Sequence, residues 1–431
     1  MKNLLVLLCW SFGQQFFAQT VWQLRAPIPM PTANNAVCAA LVDGDDRVYS
    51  FGGIGAGLDR AAIHRNAYRY STQLDAWTTL PEMPDTSGKI ASAASVVGGV
   101  AYVIGGYHVL NASPFEISSN KGHRFDLSTE TWLTDGAPIP IPIDDHVQAV
   151  WRDSLIYVIT GWSNTTNVSA VQVYDPALDA WSVGTAVINS NAYRSFGASG
   201  TIIGDTIFYY GGASTGSNFP AQDKLRIGVI DPLSPMTIQW LPVVNMGRTN
   251  YRSGCGVLQE RPFWVGGSTV SYNYDAVAYN GSGVVAPATD LAFLPNTNAP
   301  FTLESAGAEV MDLRGVGQLS SGDIHICGGI GPNAEVLTTN WLLTTSVGIS
   351  ELDATGPRIF PVPSSGSVTV DLPQGLYNRR YAVYNALGAI VLEGKLEGAR
   401  LLLEMTDRPR GTYTVKLIGT GRVLSLRFWL V

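Results

Sequence analysis

Residues 49–53 read Tyr49-Ser50-Phe51-Gly52-Gly53, an apolar strand that ends in two glycines. Related stretches return five more times, at intervals of 51 to 62 residues. A period of this length indicates a repeat architecture with one supersecondary unit per repeat. The five further stretches are Tyr102-Val103-Ile104-Gly105-Gly106, Tyr157-Val158-Ile159-Thr160-Gly161, Phe208-Tyr209-Tyr210-Gly211-Gly212, Phe263-Trp264-Val265-Gly266-Gly267 and His325-Ile326-Cys327-Gly328-Gly329.

Turns and tryptophans divide each repeat further. A short polar turn such as Asp43-Gly44-Asp45-Asp46 precedes each glycine-ended strand, which is a hairpin signal. A tryptophan then marks the outer part of most repeats, and in the fifth repeat Val284-Val285 is expected to take its place. Each repeat is therefore predicted to be a small antiparallel sheet. The five tryptophans are Trp22, Trp77, Trp132, Trp181 and Trp240.

The two ends of the repeat region complement each other. Trp22 has no glycine pair before it, and the sixth repeat has only one further strand, around Asn340-Trp341. If the first strand joins the last sheet, both sheets are complete and no open edge remains. This closure predicts a ring of six four-stranded blades.

The repeats resemble the kelch family. The resemblance rests on the glycine pairs, on aromatic-aspartate pairs such as Tyr174-Asp175, on the tryptophans, and on Met-Pro stretches such as Glu82-Met83-Pro84. It implies an all-β fold with a six-bladed kelch-type β-propeller over residues 19–345. The family also includes a copper-radical oxidase and a periplasmic sialic-acid mutarotase, but no motif specific to either is visible.

The segment after residue 357 differs in character. Residues 346–357 are predicted to be a linker, and 358–431 contain short alternating strands that favour a small β-sandwich. Phe360-Pro361-Val362-Pro363 with Gly366, residues 383–388 and residues 407–413 resemble the C-terminal sorting domain of proteins exported by type IX secretion, although Val362 replaces the usual Asn. This resemblance implies that the secretion machinery is a partner of the chain.

The N-terminus reads as an export signal. Lys2 precedes the apolar run Leu4–Trp10, and a cut before Gln19 is plausible, so residues 1–18 are predicted to be a signal peptide. No segment is long and apolar enough for a transmembrane span. The protein is therefore expected to pass through the periplasm and be secreted or displayed on the outer cell surface. The net charge of −7 gives no reason to expect nucleic acid as a partner.

The loops between blades and the loops between second and third strands share one face of such a propeller, where ligands usually bind. The sequence predicts a mixed polar and aromatic rim there. From the inter-blade loops the candidates are Asn35, Lys89, Asp145, His146, Tyr193, Arg194, Arg248, Tyr251 and Arg252, and from the within-blade loops they are His108 and Trp162.

Three clusters of residues allow two interpretations each. Asp144-Asp145-His146 is either a metal or acid–base site or a solvated loop. Arg194, Arg248 and Arg252 either converge on an anionic ligand or pack between blades. Asp43-Gly44-Asp45-Asp46 is either a calcium loop or an ordinary turn, and it lies at the opposite face.

The sequence favours a binding function over an enzymatic one. It contains no nucleophile elbow, phosphate loop or zinc motif, and neither a cofactor nor a metal is expected. The main hypothesis is a secreted or cell-surface module that recognises a glycan or a protein. The alternative is a carbohydrate-active enzyme of the sialic-acid mutarotase or epimerase type, which a buried carboxylate between two arginines at the channel mouth would favour.

Overall fold

The computed structural model describes residues 20–294, 301–345, 358–360, 364–372, 380–386, 388–396, 398, 400–418 and 423–431. Residues 20–345 form one compact unit, and the described residues after 357 belong to a second. The predicted signal peptide 1–18, the predicted linker 346–357 and Pro361-Val362-Pro363 lie outside the described residues.

The first unit is built from antiparallel strands, with one 3-10 turn at Arg60–Ala62. Its described residues contain six sheets with a path of four strands each, called blades 1 to 6 below. The chain opens with β1 (Thr20–Arg25). Blade 1 follows with β2 (Ala36–Val42), β3 (Asp45–Ile54), β4 (Ile63–Ser71) and β5 (Ala76–Leu80), and blade 2 with β6 (Ile90–Val97), β7 (Val100–Val109), β8 (Glu116–Ser118), β9 (Gly122–Asp126) and β10 (Thr131–Trp132).

The later blades keep this plan with additions. Blade 3 has β11 (Val147–Trp151), β12 (Leu155–Ile159), a small hairpin of β13 (Trp162–Ser163) and β14 (Thr166–Asn167), then β15 (Val171–Asp175) and β16 (Ala180–Gly184). Blade 4 has β17 (Phe196–Ile203), β18 (Thr206–Ala213), β19 (Gln222–Asp231), β20 (Ser234–Trp240) and β21 (Val244–Asn250). Blade 5 has β22 (Gly254–Leu258), β23 (Arg261–Val265), β24 (Asp290–Phe293) and β25 (Thr302–Ser305). Blade 6 has β26 (Gly317–Gln318), β27 (Ile324–Cys327) and β28 (Asn340–Thr345).

The first strand completes the last blade, as its missing glycine pair predicts. β1 pairs antiparallel with β28, from Thr20 opposite Thr345 to Arg25 opposite Asn340. Buried apolar clusters also fill the space between neighbouring blades all the way round. The cluster between blades 6 and 1, for example, packs Cys327 and Leu342 against Val48 and Tyr70. The hydrophobic core of this unit is therefore distributed between its blades.

In blades 1 and 3 an aspartate and a tryptophan fasten the outer strand to the chain that enters from the blade before, and in blades 2 and 4 Trp132 and Trp240 make the tryptophan contact alone. Trp181 Nε1 donates to the carbonyl of Ala137 at 2.8 Å, and Asp179 Oδ1 accepts from the Ala137 amide at 2.7 Å and from the Tyr174 hydroxyl at 2.5 Å. The same contacts join Trp77 and its neighbouring aspartate to the chain after β1. The repeated tryptophan is thus an inter-blade clamp.

The glycine pairs allow close approach of the backbone at the inner end of each second strand. Gly53 has φ near +116°, and a Cβ there would lie 2.5 Å from the carbonyl oxygen of Ala33. The third repeat has Thr160 at the first glycine position, with φ near +48°. Its hydroxyl donates to the Val168 carbonyl at 2.8 Å and accepts from the Ser195 amide at 2.9 Å, which compensates for this backbone conformation.

The prediction for Val284-Val285 is wrong. The outer strand of blade 5 is β25, whereas Val284 and Val285 lie in the long loop 266–289 that joins β23 to β24. In that loop Val285 is buried among residues at the inner ends of the blades. The long loop explains the error, because it moves the third and fourth strands well beyond the spacing of the other repeats.

The second unit contains two small sheets. One sheet contains β29 (Arg358–Phe360), β30 (Ser367–Asp371) and β33 (Arg400–Glu404), and the other contains β31 (Arg380–Tyr384), β32 (Ile390–Lys395), β34 (Gly411–Ile418) and β35 (Val423–Leu430). Residues from both sheets, including Val370, Leu403, Val383 and Phe428, share one buried core. These strands agree closely with those expected from the alternating pattern of the sequence.

Candidate ligand-binding site

A belt of six residues surrounds the inner end of the first unit, one at the entrance to each blade. Each belt residue has a φ between 48° and 67°, in the left-handed region that most side chains avoid. Hydrogen bonds of 2.5 to 3.0 Å, all but one between backbone groups, run from each belt position to the next around the ring, the bond to the Arg252 carbonyl coming from the amide of Leu313, next to Asp312. This belt holds the channel mouth in one backbone conformation. Its members are Asn34, Ala91, Asp145, Gly197, Arg252 and Asp312.

The residue before each belt residue pairs with the residue after a glycine pair. Asp144 pairs with Trp162 in this way, and Phe196 with Ala213. In the other blades the residue before the belt is Ala33, Ile90, Tyr251 or Met311. Asp144 is therefore the one carboxylic acid in a layer whose five other members are apolar or aromatic.

A cavity of about 180 Å³ lies beside Asp144 at this layer. Residues from blades 2 to 5 line it, and they come from the inter-blade loops and the loops between second and third strands. Its aromatic members are Tyr107, Trp162, Phe196, Phe219 and Tyr279, and its charged members are Glu116, Asp144, Asp145 and Arg252, with Asn273 beside them.

Arg252 occupies the base of this cavity and is fully engaged. Its side chain is only 1% exposed. Its Nη2 and Nε donate to the two carboxylate oxygens of Asp145 at 2.6 and 3.2 Å, and its Nη1 donates to Asp312 Oδ1 at 3.0 Å. Arg314 adds a second guanidinium 3.5 Å from Asp145. Two arginines and two aspartates thus neutralise each other inside the ring.

Asp144 and Asp145 have different surroundings. Asp145 lies in the arginine network, whereas Asp144 accepts a hydrogen bond from the Ser118 hydroxyl at 2.5 Å and forms no ion pair with any described residue. Burial and the neighbouring Asp145 carboxylate raise the pKa of Asp144 well above its usual range. Among the carboxyl groups of the cavity wall, Asp144 is therefore the one whose ionised form would gain most from a positively charged ligand.

A second cavity of about 260 Å³ follows the axis of the ring, lined by the inner strands of the six blades. His146 lines this channel rather than the aromatic cavity, with its Nε2 3.1 Å from Gln148 Oε1. Burial and the nearby Arg314 lower the pKa of His146 to about 3, so the ring is neutral at physiological pH. Asp144, Asp145 and His146 consequently face three different environments.

Of the eleven predicted rim residues, Asp145, Arg252 and Trp162 line the aromatic cavity. Tyr251 is buried directly behind it, with its ring 5.1 Å from that of Tyr272. Asn35 and Tyr193 are buried and make structural contacts, the first to Ser50 Oγ at 2.8 Å and the second to the Leu241 carbonyl at 2.7 Å.

Lys89 and His108 belong to a separate cluster between blades 1 and 2. Lys89 Nζ lies 3.6 Å from Asp85 Oδ2, and His108 Nε2 lies 3.7 Å from the same oxygen. His123 and Lys121 approach Asp85 more closely, at 3.0 and 3.1 Å. Burial lowers the pKa of Lys89 to about 8. None of these residues is in the lining of the aromatic cavity.

The three predicted arginines have separate partners. Arg194 donates to Asn191 Oδ1 at 3.0 Å, and Arg248 forms an ion pair with Asp290 of blade 5. Arg252 is occupied by the two aspartates described above. The turn at Asp43-Gly44-Asp45-Asp46 likewise uses its carboxylates internally, since Asp45 Oδ1 accepts from the Gln73 amide at 3.1 Å.

Sequence reasoning missed six members of the site: Tyr107, Glu116, Phe196, Phe219, Asn273 and Tyr279. A signal for Tyr107 was present, because it directly follows a glycine pair, as Trp162 does. Phe196 occupies the same repeat position as Asp144. Glu116, on the short strand β8, and Phe219, Asn273 and Tyr279 lie in connections of unequal length between the second and third strands of their blades, for which the repeat provides no register.

Comparison with known proteins defines the class of this chain. Residues 16–219 match the family model described as the KLHDC2/KLHL20/DRC7 Kelch-repeats domain. The solved structure of YjhT superposes with a TM-score of 0.59 at 17% identity, covering 75% of this chain and 97% of that one. The all-β fold and its kelch-type propeller are thereby confirmed.

Residues 358–428 match the model of the secretion system C-terminal sorting domain. Both resemblances predicted from the sequence are confirmed: the chain carries kelch repeats and, after them, a sorting domain. Such a domain implies contact with the type IX secretion machinery and export to the cell surface or the medium. Within the described ranges, no helix has the length and hydropathy that a membrane crossing requires.

The curated relatives share only the repeat region. Kelch-like protein terF of Aspergillus terreus is 24% identical over 201 residues, which are 44% of this chain and 42% of that protein. Beta-scruin of Limulus polyphemus is 27% identical over 161 residues, 36% of this chain and 16% of that protein. The chain thus spans less than half the length of either relative.

Proposed function

We propose that this protein is a secreted or cell-surface binding module whose aromatic cavity receives part of a glycan or protein ligand. The cavity itself carries the proposal. Five aromatic side chains and several carboxyl groups from four blades surround one space at the loop face. Recognition sites commonly combine apolar walls with a few fixed polar groups in this way.

The size of the cavity limits what enters it. A volume of about 180 Å³ is below the roughly 300–1,000 Å³ of sites for drug-sized ligands. It therefore accepts one small group of a larger ligand, with the remaining contacts made by the surrounding loops.

An array of glycans and peptides, probed with the full chain, tests this proposal. Trp162→Ala should abolish the signals, because Trp162 packs edge-to-face on Phe196 and Phe219 and forms one wall of the cavity. Leu233→Ala is a suitable control, since Leu233 is 94% exposed in the turn between β19 and β20. Binding that is unchanged in Trp162→Ala would exclude this cavity as the ligand site.

A mutarotase or epimerase of carbohydrates is the second candidate. It is favoured by Asp145, a buried carboxylate between two arginines, and by Asp144 and Glu116 in one cavity, where one could donate a proton and the other accept one. The test is NMR exchange between sugar anomers, including those of sialic acid. Catalysed exchange that disappears in Asp144→Asn would support the enzyme, and exchange at the uncatalysed rate would exclude it.

A further inference from the structure

We propose that the group bound in the aromatic cavity is an alkylammonium ion, presented as a lysine side chain by a protein partner. This inference rests on the proposed binding function and specifies its ligand. It follows from the balance of charges in the wall, from its carboxyl groups without a counterion, and from the arrangement of the rings.

The wall offers no free positive charge to an anion. Arg252 is the one basic residue among those lining the cavity, and all three of its donor nitrogens point to Asp145 or Asp312. Arg314, behind it, donates to the His146 carbonyl at 2.7 Å and lies against Asp145. An anionic ligand would have to break these buried pairs, which is costly.

The wall does offer carboxyl groups that have no counterion. Asp144 is 4% exposed and Glu116 lies at the exposed mouth, and neither forms an ion pair with a described residue. A carboxylate in such a place is costly to bury without a counterion. A cation with several N–H donors would pair with Asp144 and Glu116 together.

The aromatic rings suit the same ligand. Phe219 lies 5.5 Å from Trp162 and 5.0 Å from Tyr279 between ring centroids, with steep interplanar angles, so the rings form walls rather than a stack. Ring faces attract ammonium groups, and more strongly where water is excluded. Rings next to carboxylates are thus a site for a cation with an apolar stem.

The chemistry of the stem favours lysine over an amino sugar. A lysine reaches its ammonium through four methylene groups, which can lie against rings without further hydrogen bonds. An amino sugar surrounds its nitrogen with hydroxyls that need partners, and Asn273 is the one amide among the lining residues. We therefore assign the cavity to a lysine side chain.

The experiment titrates the full chain with Nα-acetyl-lysine methylamide. Nα-acetyl-norleucine methylamide is the control with a similar side chain but no charge. Glucosamine and N-acetylglucosamine are titrated separately as sugar probes. Ligand-observed NMR measures each affinity. Only the lysine probe should bind, and Trp162→Ala should remove that binding. Asp144→Asn should weaken it roughly 10- to 100-fold, as expected for a buried hydrogen bond to a charged group, and Glu116→Gln roughly 2- to 5-fold, as expected for an exposed ion pair. Glu260→Gln, in the β22–β23 hairpin at the other end of blade 5, should have no effect.

The outcomes separate this inference from the function on which it rests. Equal binding of the lysine and norleucine probes, or unchanged lysine affinity in both carboxyl variants, overturns the ammonium assignment while a Trp162-dependent site remains. Binding of glucosamine but not of the lysine probe contradicts the claim that a protein partner supplies the ammonium group. If no probe and no array ligand depends on Trp162, the proposed function itself fails. Because Glu116 lies on a short exposed strand, its variant remains informative even if Asp144→Asn disturbs folding.

Discussion

Replacing Arg252 by methionine should destabilise the propeller strongly. The change leaves Asp145 and Asp312 in a buried site without the guanidinium that contacts both. Breaking a buried ion pair from one side costs about 3–5 kcal/mol, because the remaining charge has neither solvent nor partner. Arg314 still lies 3.5 Å from Asp145 and offsets part of this cost, but it does not contact Asp312. A loss of about 3 kcal/mol is therefore expected.

The loss should depend on pH in a defined direction. Burial already raises the pKa of Asp312, and Arg252 opposes this rise more strongly than the hydrogen bond from Asn34 does. Without Arg252 the folded-state pKa moves further above the unfolded value of about 3.9. A carboxyl group of this kind is tolerated when protonated and costs stability as the pH rises above the unfolded value. The difference between wild type and variant should therefore grow from pH 5 to pH 8.

Thermal unfolding of the full chain at several pH values measures both effects. For a unit of this size, a loss of about 3 kcal/mol corresponds to a fall in Tm of roughly 5–10 °C. Arg248→Met is the matched control, because Arg248 forms a single, partly exposed pair with Asp290 and should cost about 1 kcal/mol or less. A fall of less than 2 °C for Arg252→Met, or a difference that stays constant from pH 5 to pH 8, would refute the reasoning.

Three further outcomes are expected. Asp179→Ala removes the acceptor for the Ala137 amide between blades, and should lower the free energy of unfolding by about 1–3 kcal/mol in a denaturant titration. Because the pKa of Lys89 is lowered to about 8, its charge destabilises the fold at lower pH. Lys89→Met should thus be more stable than wild type at pH 7 by roughly 1–3 kcal/mol, and Tm scans should show this advantage shrinking between pH 8 and 10.5. Burial raises the pKa of Cys38 and Cys327 to about 12, so a thiol reagent should modify them only after unfolding, and rapid labelling of the native chain would contradict this.

The fold was largely predictable because its main contacts repeat. A glycine is required wherever the next blade's entry loop crosses closely over a strand end, as at Gly105 beneath the Ile143 carbonyl, and a tryptophan is typical where an outer strand clamps its neighbour, as at Trp181. Constraints that recur at each blade leave a periodic trace in the sequence. The loop 266–289 has no such constraint along its length, and there the spacing misplaced Val284-Val285.

The site was harder to predict because it depends on side-chain direction. Neighbouring residues on a strand point to opposite sides. An error of one position in the predicted register therefore assigns to the cavity a side chain that is buried in the core, or the reverse. The left-handed belt residues add a further turn just before each inner strand. Tyr193 and Arg194, for example, were expected at the rim, whereas Phe196, two residues beyond Arg194, lines the cavity.

Partners distant in sequence decide the chemistry of the site. Arg252 looked like an anion receptor beside Arg194 and Arg248, but its charge is cancelled by Asp145, 107 residues away, and by Asp312, 60 residues away. The repeat explains why these three residues meet, because each occupies the belt position of its own blade. It does not determine which belt positions carry charge. Because the charges of the belt residues cancel one another, Asp144 and Glu116 determine the charge that the cavity presents to a ligand. The expected ligand therefore changes from an anion to a cation.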